Sequence, residues 1–234
     1  MAHGGFRTAV SDVDLALLTG DQPGRGMPRI VATIANEIKA AGHELADRLS
    51  IFHAPWAAFS DPPPGARFPP IDRYDLVHYG ILVHGTDFRP TYATAPTADE
   101  IRVHAVDSAL RRVTPVRLAT DLRQLADAGV TVHDATKIVL WPVRLQHVCD
   151  TGQATGNAAA VDHYLQLPDA HHQSLAQDAL EWRDLAANQT PSAALERITN
   201  EIHDLHAEVF QRLSERPAIP RRGELARRAR QLSA

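Results

Sequence analysis

Short apolar runs separated by turn residues mark the first half of this chain. Residues 13–19 form such a run, and a glycine-bearing loop follows it. Three isoleucines then recur four residues apart, which predicts a helix from about Pro28 to Arg48. A strand, a glycine-bearing loop and a helix in this order are typical of the start of a βαβ unit.

The same pattern predicts further elements up to residue 143. Residues 53–74 are rich in proline and predict a long loop. Apolar runs then predict strands, and a helix with apolar residues four apart begins at Thr97. The predicted strands are Asp75–Gly85, Pro115–Thr120, Val130–Val132 and Lys137–Val143, and a short helix covers Asp121–Ala128. We therefore predict an α/β fold, a Rossmann-like and mostly parallel sheet with flanking helices, over residues 1–143.

From residue 144 onward the periodicity becomes helical. Helices are predicted over Asn157–Leu167, from Pro168 to about Asn188, and from Thr190–Pro191 onward, where Thr suits the N-cap and Pro the first turn. Apolar residues between 195 and 209 recur at spacings of three and four, which suits a helix hairpin or a homo-oligomer contact through residues 190–214. Residues 144–234 are therefore predicted to be a helical C-terminal extension. The five arginines of 221–230 indicate a solvated terminal helix or contact with an acidic partner.

Composition excludes several classes of protein. The 234 residues are 44% hydrophobic and carry a formal net charge of -4, which argues against a nucleic-acid partner. The single cysteine, Cys149, excludes an internal disulfide and a cysteine-rich zinc site. No apolar run reaches membrane-spanning length and no secretory signal is evident, so we predict a cytoplasmic protein without a membrane partner. No motif calls for a cofactor, and none is predicted.

Thirteen histidines are scattered along the chain without an HExxH motif. His203 and His206 lie three apart on a predicted helix beside Glu201, a spacing that can place two ligands on one metal. A third ligand cannot be assigned from the sequence, so solvated histidines on a helix face are the favoured interpretation, and no metal site is predicted.

Glu100 has two interpretations. Thr97-Ala98-Asp99-Glu100 matches a capping box, in which the Thr hydroxyl and the Glu carboxylate bond to each other's backbone amides. The local sequence favours this structural role. A catalytic role is the alternative, and it depends on what the surrounding stretch resembles.

Residues 96–123 resemble the nucleoside 2-deoxyribosyltransferase-like family, which includes nucleotide N-glycosidases. The resemblance is carried by Pro96–Ile101, by Pro115-Val116 and by the Thr-Asp-x-Arg ending at 120–123. Leu17–Gly20 and Ala41–Glu44 look like the family's first strand and helix. At best the resemblance covers residues 13–123.

The resemblance implies an enzyme that breaks or transfers an N-glycosidic bond of a nucleoside or nucleotide. Glu100 would attack the anomeric carbon as nucleophile, and Asp87 would protonate the departing base. The residues expected to contact the substrate are Gly20, Asp21, His84, Thr97, Asp121 and Arg123.

Two alternatives stay open. The first is a non-catalytic nucleotide-sensing or scaffold domain that keeps the Rossmann-like sheet. The second is a resemblance to sulfur-relay proteins of the DsrE kind, carried by Leu125–Val130 and requiring Cys149 as a reactive thiol.

Overall fold

Residues 11–20, 26–56, 59, 68–125, 132–185 and 193–233 are described by a computed structural model of the chain. Internal contacts divide the chain into two units, Met1–Pro96 and Thr97–Ala234.

The first unit contains a two-stranded parallel sheet. Strand β1 (Val13–Thr19) is followed by helix α1 (Met27–Ala40), a 3₁₀ turn (Ala46–Arg48) and strand β2 (Leu49–Pro55). The predicted β1 is confirmed. The predicted first helix is too long, because the observed helix ends at Ala40 and the remaining predicted residues form a turn and the 3₁₀ segment before β2.

Residue pairing in the sheet runs from Val13 opposite Leu49 to Thr19 opposite Pro55. A small hydrophobic cluster is buried here, formed by Ala54 of β2 with Phe59 and Phe68. β2 was not predicted: its first residues follow the predicted helix without an assignment, and its last three had been assigned to the loop 53–74.

Two helices complete the described part of this unit, α2 (Pro70–Tyr79) and α3 (Arg89–Tyr92). The predicted strand Asp75–Gly85 is wrong, because its first half lies in α2. Pro70 suits the first turn of a helix, where its missing amide costs nothing, and Gly80 follows the last turn. The apolar residues after Gly80 are exposed and belong to no strand.

The second unit is entirely helical in its described residues. Its helices are α4 (Ala98–Arg112), α5 (Pro115–Leu125), α6 (Val132–Thr151), α7 (Asn157–Leu165), α8 (Gln173–Asp184), α9 (Ala193–Glu215) and α10 (Arg222–Leu232).

Two predicted strands of this unit are wrong. Pro115–Thr120 forms the first half of α5, and Lys137–Val143 lies inside α6. The buried residues Ala135, Val139 and Val143 are four apart, so the run is one face of a helix rather than a strand. Of the predicted strand Val130–Val132, the last residue begins α6 and the rest lies outside the described residues.

Helix α9 lies at the centre of the second unit and packs against α6 and α10. The predicted apolar seam is its buried face, and Ile198, Ile202, Leu205 and Val209 are each completely buried. The seam is therefore used inside the unit. A homo-oligomer contact through residues 190–214 stays a prediction, and only the remaining surface of α9 is free for it.

The arginine-rich tail forms α10, which is not a fully solvated helix. Leu225, Ala229 and Leu232 are buried on one of its faces. Arg221, with a backbone φ of 54°, donates to Asp107 of α4 at 2.6 Å.

Arg228 ties α10 to the end of α4. Its guanidinium donates to the carbonyl of Leu110 at 3.3 Å and also to the carbonyl of Val113. These bonds satisfy carbonyls that the end of a helix leaves without partners.

The predicted Rossmann-like α/β fold is wrong. Of the described residues, 68% are helical and only 7% are in strands, and those strands form a single two-stranded sheet. The predicted domain boundary at 143/144 falls within α6, whereas the contacts divide the chain between Pro96 and Thr97. None of the described helices has both the length and the apolar character that crossing a bilayer requires.

Candidate ligand-binding site

Glu100 is held by its own helix cap. One of its carboxylate oxygens accepts from the Thr97 amide at 2.7 Å and from the Thr97 hydroxyl at 2.9 Å. The Glu100 amide donates back to that hydroxyl at 3.2 Å. The predicted capping box is confirmed, and both residues are exposed.

Asp87 is paired with Arg89. The Arg89 side chain donates to both carboxylate oxygens, at 2.9 and 3.1 Å through Nε and at 2.6 Å through Nη2. These hydrogen bonds lower the pKa of Asp87 to about 2. The side chain is therefore ionised at neutral pH and has no proton to donate to a departing base.

The remaining predicted site residues are spread over both units. Gly20 and His84 are exposed in the first unit. Arg123 is exposed on α5, where it donates to the Ala119 carbonyl at 3.2 Å. Asp21 lies outside the described residues. Asp121 lines the cavity described below.

Cys149 has no features of a reactive thiol. It lies in α6 and is 2% exposed. Burial raises the pKa of this thiol to about 12, so it stays protonated at neutral pH. The sulfur-relay alternative, which requires a thiolate, finds no support in this environment.

A cavity of about 210 Å³ lies among α4, α5, α6 and α9 of the second unit. Its floor is apolar and aromatic, and three charged residues lie around it. The described lining residues are Arg112, Val113, Leu118, Asp121, Lys137, Ile138, Trp141 and His206.

His206 is the unusual residue of this cavity. It is 3% exposed, and neither ring nitrogen makes a hydrogen bond of ordinary geometry with a described residue, although the Ile138 backbone lies near enough to favour the charged ring. Burial nevertheless dominates and lowers the pKa of His206 to about 4. At neutral pH the ring is therefore uncharged, with one donor and one acceptor nitrogen available.

An aromatic neighbour accompanies this histidine. The rings of Trp141 and His206 are nearly parallel, with an interplanar angle of 19° and centroids 6.1 Å apart. Both rings belong to the wall of the cavity, one from α6 and one from α9. A flat molecule in the cavity would contact both an aromatic surface and the ring nitrogens of His206.

His206 was predicted to lie on a solvated helix face. This prediction is wrong, since the residue is buried in the core. The signal was present: His206 follows Ile202 by four residues and Leu205 by one, so it shares the apolar stripe of α9. Trp141 was overlooked because its apolar run was assigned to a strand.

A second polar cluster in this unit is structural. Glu208 accepts from the buried Tyr164 hydroxyl at 2.6 Å and from the His171 amide at 2.9 Å. Its two oxygens thus tie α7 and the start of α8 to α9. Within the described ranges, no group of three or more His, Cys, Asp or Glu side chains is arranged to hold a metal ion.

Comparisons of the chain with protein-family models, with curated proteins and with solved structures find no match.

Proposed function

We propose that the second unit is a small-molecule-binding helical domain whose cavity holds a flat ligand with a polar edge. The observation that carries this proposal is His206. Its buried imidazole lies at the wall of a cavity, and neither ring nitrogen makes a hydrogen bond of ordinary geometry with a described residue. Leaving a buried polar group without a hydrogen bond costs about 1–3 kcal/mol. A ligand that bonds to the ring removes that cost when it binds.

The size of the cavity restricts the ligand. Pockets for drug-sized ligands have volumes of about 300–1,000 Å³. A cavity of about 210 Å³ is smaller, so a molecule of one or two rings fits it best. Trp141 offers such rings a stacking surface, and His206 offers a hydrogen bond at their edge.

The proposed function keeps the non-catalytic binding role of the sensing alternative. It does not include that alternative's Rossmann-like sheet. Hydrolysis or transfer of an N-glycosidic bond stays a prediction from the sequence resemblance, as do the nucleoside or nucleotide substrate and the cytoplasmic location. The geometry favours binding over that chemistry, because Glu100 is engaged in its cap and Asp87 is held ionised by Arg89.

Binding of neutral flat probes tests the proposal. Uracil, adenine, phenol and indole are titrated into the 234-residue chain by calorimetry, while the His206 ring nitrogens are followed by NMR. We expect saturable binding of at least one probe, with a shift of a His206 nitrogen resonance. His206→Leu replaces the imidazole with an apolar side chain of similar bulk and should weaken that binding at least tenfold.

The matched control is His203→Leu, one turn earlier on the same helix and absent from the cavity wall. It should leave the binding unchanged. The proposal is overturned if no flat probe, with or without charged groups, binds saturably, or if a probe binds equally well to His206→Leu and to the parent chain.

A further inference from the structure

Charged residues of both signs lie around the cavity, and two of them have no ionic partner. The side chains of Arg112 and Asp121, both exposed, make no hydrogen bond or ion pair with any residue in the described part of the chain, including each other. Lys137, the third charged residue, already forms an ion pair with Asp134 at 3.1 Å. One free positive and one free negative side chain therefore border the same small space.

We infer that the cavity binds a small aromatic zwitterion, that is, an α-amino acid with a flat apolar side chain. This inference rests on the proposed function and specifies its ligand. The ligand carboxylate would pair with the Arg112 guanidinium, which presents a planar fork of donors suited to carboxylates. The ligand ammonium would pair with Asp121, and the ring would lie against Trp141 and His206.

Unbalanced ligands fit these charges less well. A ligand that carries only a negative charge pairs with Arg112 but is repelled by Asp121. A ligand that carries only a positive charge pairs with Asp121 but is repelled by Arg112. A neutral ring uses His206 and Trp141 but leaves both free charges without partners. Only a ligand that carries both charges engages every unpaired group that the described lining offers.

Three probes with one ring and different ends test this inference. L-phenylalanine carries both charges, phenethylamine lacks the carboxylate, and 3-phenylpropanoate lacks the ammonium. Calorimetric titration of the 234-residue chain should give a dissociation constant for L-phenylalanine at least tenfold lower than for either analogue. Tenfold corresponds to about 1.4 kcal/mol, within the range of one charge-assisted hydrogen bond.

Two variants assign the ends of the ligand. Arg112→Gln should raise the dissociation constant of L-phenylalanine at least tenfold, whereas that of phenethylamine should stay unchanged or fall. Asp121→Asn should also raise the dissociation constant of L-phenylalanine at least tenfold. The dissociation constant of 3-phenylpropanoate should stay unchanged or fall in this variant. Arg123→Gln and Asp204→Asn, on exposed positions of α5 and α9 away from the cavity, are matched controls that should change nothing.

The outcomes separate this inference from the proposed function. Equal affinity for the three probes, or binding of a neutral flat probe but not of L-phenylalanine, overturns the zwitterion and leaves the binding domain standing. An unchanged preference for L-phenylalanine in both variants also overturns the assignment of its ends. Absence of binding by every probe, neutral or charged, overturns both.

Discussion

At the residue scale, His206 links the cavity to the stability of the protein. Its pKa in the folded chain is about 4, below the ordinary histidine value of 6.5, because burial disfavours the charged ring. The unfolded chain therefore binds this proton more readily between those two pH values. The stabilisation that comes from a neutral ring is complete above pH 6.5 and is lost as the pH falls to 4.

Acid should consequently destabilise the parent chain more than His206→Leu. One pKa unit corresponds to about 1.4 kcal/mol, so the free energy of unfolding of the parent should fall by about 3 kcal/mol more than that of the variant between pH 7 and pH 4. Urea unfolding at a series of pH values measures the difference.

His104 and His147, whose pKa values burial also lowers, are retained in both proteins and so cancel. At pH 7 the variant should be the more stable of the two, since it removes a buried polar group that lacks partners. If the free energies of unfolding of the two proteins change equally with pH, the result contradicts the burial of a neutral His206.

Thr97 and Glu100 give a second prediction at this scale. Thr97→Ala removes the hydroxyl that caps α4 and should lower the free energy of unfolding by about 1 kcal/mol. Thr199→Ala is the matched control, because Thr199 is an exposed threonine inside α9 whose hydroxyl bonds to the Leu195 carbonyl. Alanine favours the helix interior there, so no loss is expected. Equal losses in both variants, measured by urea unfolding, would show that the cap contributes nothing.

At the scale of elements, Gly152 controls how α6 ends against α4. Its φ is +72°, and a Cβ placed on it would lie 2.3 Å from the Cβ of Ala98. Gly152→Ala should therefore cost more than about 1–2 kcal/mol, the usual penalty of a left-handed alanine, because the backbone must also move.

Gly223→Ala provides the control for that prediction. This glycine lies in the first turn of α10, and a Cβ there meets no atom within 4 Å. The substitution should be neutral or stabilising by up to about 1 kcal/mol, since alanine is the better helix former. Thermal unfolding of both variants tests the contrast, and similar melting temperatures for the two would refute it.

The elements that the sequence predicted correctly are those with unambiguous local signals. Thr97–Glu100 contains every atom of its capping box, and the seam of α9 repeats over four turns. Short, fully apolar runs were misassigned as strands, because a helix buried on several sides and a buried strand present the same composition. Pro142 added to the error: it suggested the end of a strand, whereas it lies inside α6.

The candidate site was less predictable than the fold. Asp121 was named, but as a substrate-binding residue of a nucleoside site and as the residue after a predicted strand. Its position beside Arg112, Trp141 and His206 depends on how four helices pack, which no local pattern specifies. The resemblance assigned the catalytic roles to Asp87 and Glu100, and the structure places these two residues in different units.

At the scale of the whole molecule, the division at Pro96 predicts that the second unit folds alone. Its core includes completely buried residues from α4, α6, α7, α8 and α9, and its first residue, Thr97, is already the cap of α4. A fragment of residues 97–234 should show a single cooperative thermal transition and the far-UV circular dichroism of a helical protein. It should also retain the acid sensitivity that His206 confers. A broad transition without cooperativity would contradict this autonomy.

The link between α10 and α4 has a consequence for biosynthesis. Arg221 and Arg228 bond to residues that precede them by 114 to 118 positions, and one of those residues, Val113, lines the cavity. Translation delivers these arginines after the residues that they contact, so a nascent chain that stops short of them lacks the contacts that fix this side of the cavity. Ligand binding should therefore begin only once residues 221–228 have been synthesised and packed, and chains truncated before residue 221 should not hold the ligand.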